Sequence, residues 1–212
     1  MKIVRDKKGE LILTLIIILV ISLIFNIYQR LVVIDYSNYI KESMYENIEE
    51  IKVRNESILL TTNEVIESEV ITNTQLLDLY NNYKTIYSVE SETLEANLDY
   101  KNIKNEVSQN NFFLRAEEYL KFLLISNTEG KLGENKEQVI TKLNKDKKEN
   151  ITILRDVSEE INNYFIKLTE TTLKGMEGKE KIEKLIEDDY WIEVVTEIQL
   201  IGDKYSEHML EQ

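Results

Sequence analysis

The chain has 212 residues, a formal charge of −13, six glycines, and neither cysteine nor proline. The acidic balance argues against nucleic acid and anionic lipid surfaces as partners, and the absent thiols exclude disulfides and thiolate metal sites. Average proline usage of about 5% would put roughly ten in this length, so their absence leaves the chain free to form long uninterrupted helices.

Leu11 to Gln29, LILTLIIILVISLIFNIYQ, carries no charged side chain. At about 1.5 Å per residue a helix over it spans roughly 28 Å, the thickness of a bilayer's hydrocarbon core. The reading is a single membrane-spanning helix over 11–29, with a cytoplasmic flank at 1–10 and an extracytoplasmic region at 30–212. Orientation comes from the flanks. Lys2, Arg5, Lys7 and Lys8 precede the apolar run, whereas Arg30 and Lys41 stand among Asp35, Glu42, Glu46 and Glu49 after it. The excess of bases on the N-terminal side holds that end in the cytoplasm. A cleaved signal peptide would need small residues spaced like A-x-A after the apolar centre, and Phe25-Asn26-Ile27-Tyr28-Gln29-Arg30 offers none. Lys7-Lys8-Gly9 resembles the cleavage site of type IV prepilins, with two departures: Thr14 stands where those proteins carry an acid, and Glu10 follows the glycine directly.

Beyond Arg30 the apolar pattern turns periodic. Val33, Ile40, Met44, Ile51, Ile58 and Val65 occupy heptad core positions, with Asn47, Arg54 and Thr61 interrupting. This predicts that the membrane helix continues outward as the first helix of a bundle, with a kink near Thr61-Thr62-Asn63 or a restart at Thr72, which stands three residues before Gln75 in capping-box spacing. A second helix follows through Leu76, Tyr80, Tyr83, Tyr87, Leu94 and Leu98. It continues less cleanly through Ile103 and Val107, with a bend at Asn110-Asn111, into the broad apolar face of Phe112, Phe113, Ala116, Tyr119, Leu120, Leu123 and Leu124. Asn127 to Gly133 reads as a loop. The third helix places Ile140, Leu154, Ile161 and Leu168 at one core position and Leu143, Val157 and Tyr164 at the other, with Lys147 and Asn150 interrupting. Gly175 and Gly178 end it. The fourth carries Ile182, Leu185, Trp191, Val194, Ile198, Ile201 and Tyr205, its phase shifting across Glu187-Asp188-Asp189. The fold class is therefore all-α: one transmembrane helix continuing into an antiparallel four-helix bundle.

No constellation carries chemistry, and the expected catalytic, cofactor-binding and metal residues are none. His208 is the only histidine, which excludes triads and the Glu-x-x-His pairs of ferritin-like metal sites. The acidic pairs Glu49-Glu50, Glu117-Glu118 and Glu159-Glu160, and the run Glu187-Asp188-Asp189, read as solvated surface because neighbours on a helix point apart. Gly130 to Gly133 and Gly175 to Gly178 lack the glycine patterns that cradle phosphate. Asn55-Glu56-Ser57 and Asn150-Ile151-Thr152 match the glycosylation acceptor pattern, which so asparagine-rich a chain produces by chance. Tyr80, Tyr83 and Tyr87, with Tyr119, Phe122, Tyr164 and Trp191, read as core rather than as the lining of a ligand pocket.

The expected function is that of a non-enzymatic, single-pass anchor presenting an acidic helical bundle to a protein partner or to further copies of itself. Its lipid contact is through residues 11–29, and a cytoplasmic part of about ten residues is too short to signal. A second expectation is a sensor. A membrane helix leading into a four-helix outer bundle is similar in architecture to the ligand-binding half of bacterial chemoreceptors and sensor kinases, but this chain stops at Gln212 and would have to act through a partner. The third expectation is a pilin-like subunit, although an all-helical head departs from the mostly β heads of that family.

Overall fold

The computed structural model describes residues 7–101, 111–128, 140–187 and 190–208. Among these residues the fold is all-helical apart from one short ribbon: α1 (Lys7–Ser68), β1 (Val70–Thr72), α2 (Asn73–Lys101), α3 (Phe112–Thr128), β2 (Ile140–Lys142), α4 (Lys145–Thr171), α5 (Lys179–Glu187) and α6 (Tyr190–Ser206). The chain forms two units, residues 1–43 and 44–212. In the first unit, Gly9–Asp35 is long and apolar enough to cross a membrane, and none of its most apolar window is buried.

α1 is a 62-residue helix that runs straight through the expected kink at Thr61-Thr62-Asn63, with no proline to interrupt it. The Thr62 hydroxyl donates back to the Ile58 carbonyl at 2.8 Å, which satisfies it inside the helix. The break comes at Glu69, which takes a left-handed φ of 57°. The restart at Thr72 is as read from the sequence. The Gln75 amide N–H donates to Thr72 Oγ1 at 3.1 Å, and the Thr72 N–H donates to Gln75 Oε1 at 3.0 Å. Each partner thus takes up an orphan donor at the start of α2.

Within the second unit, α1 buries Met44, Ile48, Ile51, Asn55, Ile58, Thr62 and Val65. The positions Met44, Ile51, Ile58 and Val65 are as the sequence gives them. The interrupted position is one residue later than read: Ile48, Asn55 and Thr62 lie inside, whereas Asn47, Arg54 and Thr61 flank the seam half-buried. Arg54 reaches sideways to Glu50 at 2.7 Å and to Asn82 at 3.3 Å.

α2 buries Leu76, Leu79, Tyr83, Ile86, Glu90 and Thr93. Tyr80 and Tyr87, expected in that seam, are half-exposed, displaced by Leu79 and Ile86 one residue earlier. The expected side chains of Ile40, Leu94 and Leu98, and residues Ile103 and Val107, lie outside what is described. The second expected helix does not run on to Leu124 with a bend. α3 instead folds back antiparallel along α2, because Asn111 caps a new helix: its Oδ1 accepts from Phe113 N at 2.8 Å. Asn111 pairs with Glu90 near one end of α3, and Asn127 with Asn73 near the other.

The third helix also starts later than read. Residues 140–142 form β2, antiparallel to β1, with Ile71 opposite Thr141, and Ile140 is 62% exposed rather than a core position. Asn144 then caps α4, its side chain accepting from Lys147 N. Asn150, Ile151, Leu154, Val157, Ser158, Ile161, Phe165 and Leu168 are buried. Phe165, not Tyr164, completes the seam, Asn150 lies within it, and Lys147 sits half-exposed in the first turn. α4 ends at Thr171, four residues before the expected stop at Gly175: Thr172 caps it in a right-handed conformation, Leu173 N donates to the Leu168 carbonyl, and Gly175 and Gly178 take positive φ in the turn that follows. The phase shift expected across Glu187-Asp188-Asp189 falls at residues 188–189, which lie outside the described residues. α6 packs Trp191, Val194, Val195, Ile198 and Ile201 inward. It lies against α2, α3, α4 and α5.

Candidate functional site

The described residues contain no group of three His, Cys, Asp or Glu side chains able to hold a metal ion. His208 is exposed, and its amide donates to the Tyr205 carbonyl. Glu50 pairs with Arg54 and Glu160 with Lys204, while Glu118 and Glu159 face solvent. The Glu187 side chain, Asp188-Asp189 and Gly130 to Gly133 lie outside the described residues. Both asparagines of the glycosylation pattern are buried, Asn55 at 1% and Asn150 at 4% exposure. Of the candidate pocket aromatics, Tyr83 is core: it packs on Phe112 and Phe113 with ring centroids 6.3 and 6.4 Å away, and its hydroxyl donates to the Leu154 carbonyl. Tyr119 and Trp191 are also buried, Tyr164 is half-buried, and Phe122 is 47% exposed.

The unusual chemistry lies at Glu90, which none of the sequence motifs includes. Glu90 sits in the α2 seam at 0% exposure. It follows Leu76, Leu79, Tyr83 and Ile86 at alternating three- and four-residue spacing. That spacing was the available signal, and it was obscured by following Tyr80 and Tyr87 instead. Glu90 Oε2 accepts from Asn111 Nδ2 at 2.8 Å. Its Oε1 is buried without a partner among the described residues, as is Oδ1 of Asp203 on α6. Burial is the main force on the Glu90 carboxyl. Taking a charge out of water favours the neutral acid and pushes its pKa up to about 7, opposed by the Asn111 hydrogen bond and reinforced by the like charge of Asp203. Burial raises Asp203 as well. Next to this pair α6 passes close to α3, since a Cβ on Gly202 would stand 3.1 Å from Phe112 Cβ.

The chain matches no protein-family model, no curated protein and no solved structure. Its own residues therefore carry the functional reading. They provide an exposed apolar helix and a buried acid, with no nucleophile and base brought together in either place.

Proposed function

We propose that this chain is a single-pass membrane protein that holds an acidic helical unit outside the cytoplasm, where it binds or organises a protein partner without catalysing a reaction. The observation that carries this is the helix over Gly9–Asp35, 27 residues of high hydropathy with none of that window buried. A surface so apolar is stable in lipid and aggregates in water. The bases before it and the acids after it support a cytoplasmic N-terminus. Pairings along the helices support a bundle reading of residues 44–212. Asn47 to Thr93 and Arg54 to Asn82 run α1 against α2, Asn55 to Ser158 runs α1 against α4 with Glu69 meeting Lys148 just past the end of α1, and Glu160 to Lys204 ties α4 to α6. Such a bundle takes the outer part of α1 with α2, α4 and α6, and α3, as long as α6, folds back along α2.

Protease added to cells stripped of their wall should remove the region after Arg30 and spare the apolar helix. A fragment from Arg30 onward that survives until the membrane is opened refutes the orientation. Crosslinking in intact cells should then capture a defined protein partner or a second copy of the chain. The buried Glu90 favours the sensor as the second reading, since a bundle built only to dock a partner has no use for an acid in its core.

A further inference from the structure

We infer that Glu90 is a proton switch set between α2, α3 and α6, neutral and holding the start of α3 in place in one state, ionised and loosening it in the other. The geometry rests on Asn111. One face of its side chain caps α3, with Oδ1 accepting from Phe113 N at 2.8 Å and Leu114 N at 3.4 Å. The other face donates from Nδ2 to Glu90 Oε2 at 2.8 Å. Ionisation strengthens that one bond but leaves the charge on Oε1 buried without a donor and beside Asp203, so what parts α3 from the pair is the drive to hydrate the charge and the like-charge repulsion, felt at the first turn of α3 through Asn111.

The surroundings favour the acid form. Glu90 Oε1 and Asp203 Oδ1 are buried acceptors without a donor among the described residues. A neutral carboxylic acid brings one O–H donor into this group of acceptors, whereas a carboxylate brings only a second negative charge. Among the described residues the groups around Glu90 are few. On α2, Thr93 gives its hydroxyl to the Val89 carbonyl. α1 contributes Asn47, whose amide donates to Thr93 Oγ1. α3 contributes Asn111 and, one turn on, Arg115, which donates to the Ser206 carbonyl at 2.7 Å. α6 contributes Asp203, the charge that acts on Glu90 and has the same sign.

The direction of the pH dependence follows. An acid whose pKa is about 7 in the fold and near 4.5 in the unfolded chain binds its proton more tightly when folded. Stability is then greatest at low pH, falls as pH rises from about 4.5, and levels off above about 7. Glu69 and Glu160 are lowered by Lys148 and Lys204, so what they contribute is already complete at the bottom of this window.

The test uses the full-length chain in detergent micelles. Between pH 5.5 and pH 8.5 the thermal midpoint should fall by roughly 5 to 10 °C. Over the same range the Phe113 and Leu114 amides should exchange severalfold faster after correction for intrinsic rates. In Glu90→Gln, which keeps the shape of the acid and cannot ionise, the changes centred near pH 7 should vanish, leaving only what the raised Asp203 contributes at lower pH. If that variant does not fold, Asp203→Asn serves in its place, since removing the like charge should move the pH midpoint of the wild-type loss downward. A wild-type midpoint that does not change with pH, a loss near pH 7 that persists in Glu90→Gln, or a pH midpoint unmoved in Asp203→Asn overturns the proposal.

Discussion

A buried asparagine in a helical seam gives up packing for the right to hydrogen-bond, and Asn55 makes that exchange across two helices. Its Nδ2 donates to the Ser158 carbonyl on α4 at 2.8 Å while the residue is 1% exposed. Asn55→Ala removes that bond and leaves a small cavity, so it should lower stability by about 1 to 3 kcal/mol in a denaturant melt. Asn55→Asp should cost more, because it puts a charge where only a carbonyl stands opposite. The same burial means that a glycan at Asn55 has no room in the folded chain. In the sequence, Asn55 was visible only as part of an acceptor pattern. A heptad through Arg54, one residue away, fits the sequence equally well, because a half-buried arginine and a buried asparagine interrupt an apolar stripe in the same way.

At the scale of elements, the boundaries with a capping signature were legible and those made by tertiary contact were not. Thr72 and Gln75 announce the start of α2, whereas Gly175 and Gly178 mark the turn after α4 and not its end at Thr171. Residues 140–142 carry no strand signal that outweighs an isoleucine at heptad spacing. They become β2 only because Val70–Thr72 lies opposite, and Leu143 N donates to the Glu69 carbonyl just beyond the ribbon. The reversal of α3 was hidden in the same way, because apolar residues on both sides of Asn111 fit one continuous helix as well as two. Two substitutions test these elements. Thr72→Ala breaks the reciprocal cap and should cost about 1 kcal/mol. Adding Gln75→Ala should cost little more, since both residues serve one motif. Gly202→Ala sets a gain of about 1 kcal/mol in helix propensity against overpacking worth about 1 to 3 kcal/mol. Because the Cβ would meet Phe112 Cβ at 3.1 Å and Phe113 Cε2 at 3.3 Å, and Phe112 Cβ cannot yield without its backbone, the sum should be a lower melting temperature. A rise would mean that α3 and α6 part easily.

At the scale of the molecule, the division after Ser43 separates an apolar helix that buries nothing in its membrane-length window from a unit with its own core. A fragment from Met44 to Gln212 should therefore be soluble without detergent and melt cooperatively. Ending the same fragment at Gly175 removes α5 and α6, and with them Trp191, Val194, Val195, Ile198 and Ile201, all buried. Each such side chain contributes roughly 1.5 to 3 kcal/mol, so five of them match the 5 to 15 kcal/mol that holds a typical domain together. Their removal also bares Phe112 and Phe113 on the face where Gly202 now fits. The shorter fragment should aggregate or lose its cooperative transition in calorimetry, and Val194→Asp in the longer one should do the same by placing a charge in the core. If the shorter fragment stays monomeric with a sharp transition, α6 is an appendage to a core completed by α1 to α4. Glu90 would then have its Asp203 neighbour on a detachable helix, and docking of α6, rather than the capping of α3, would be the step that its ionisation controls.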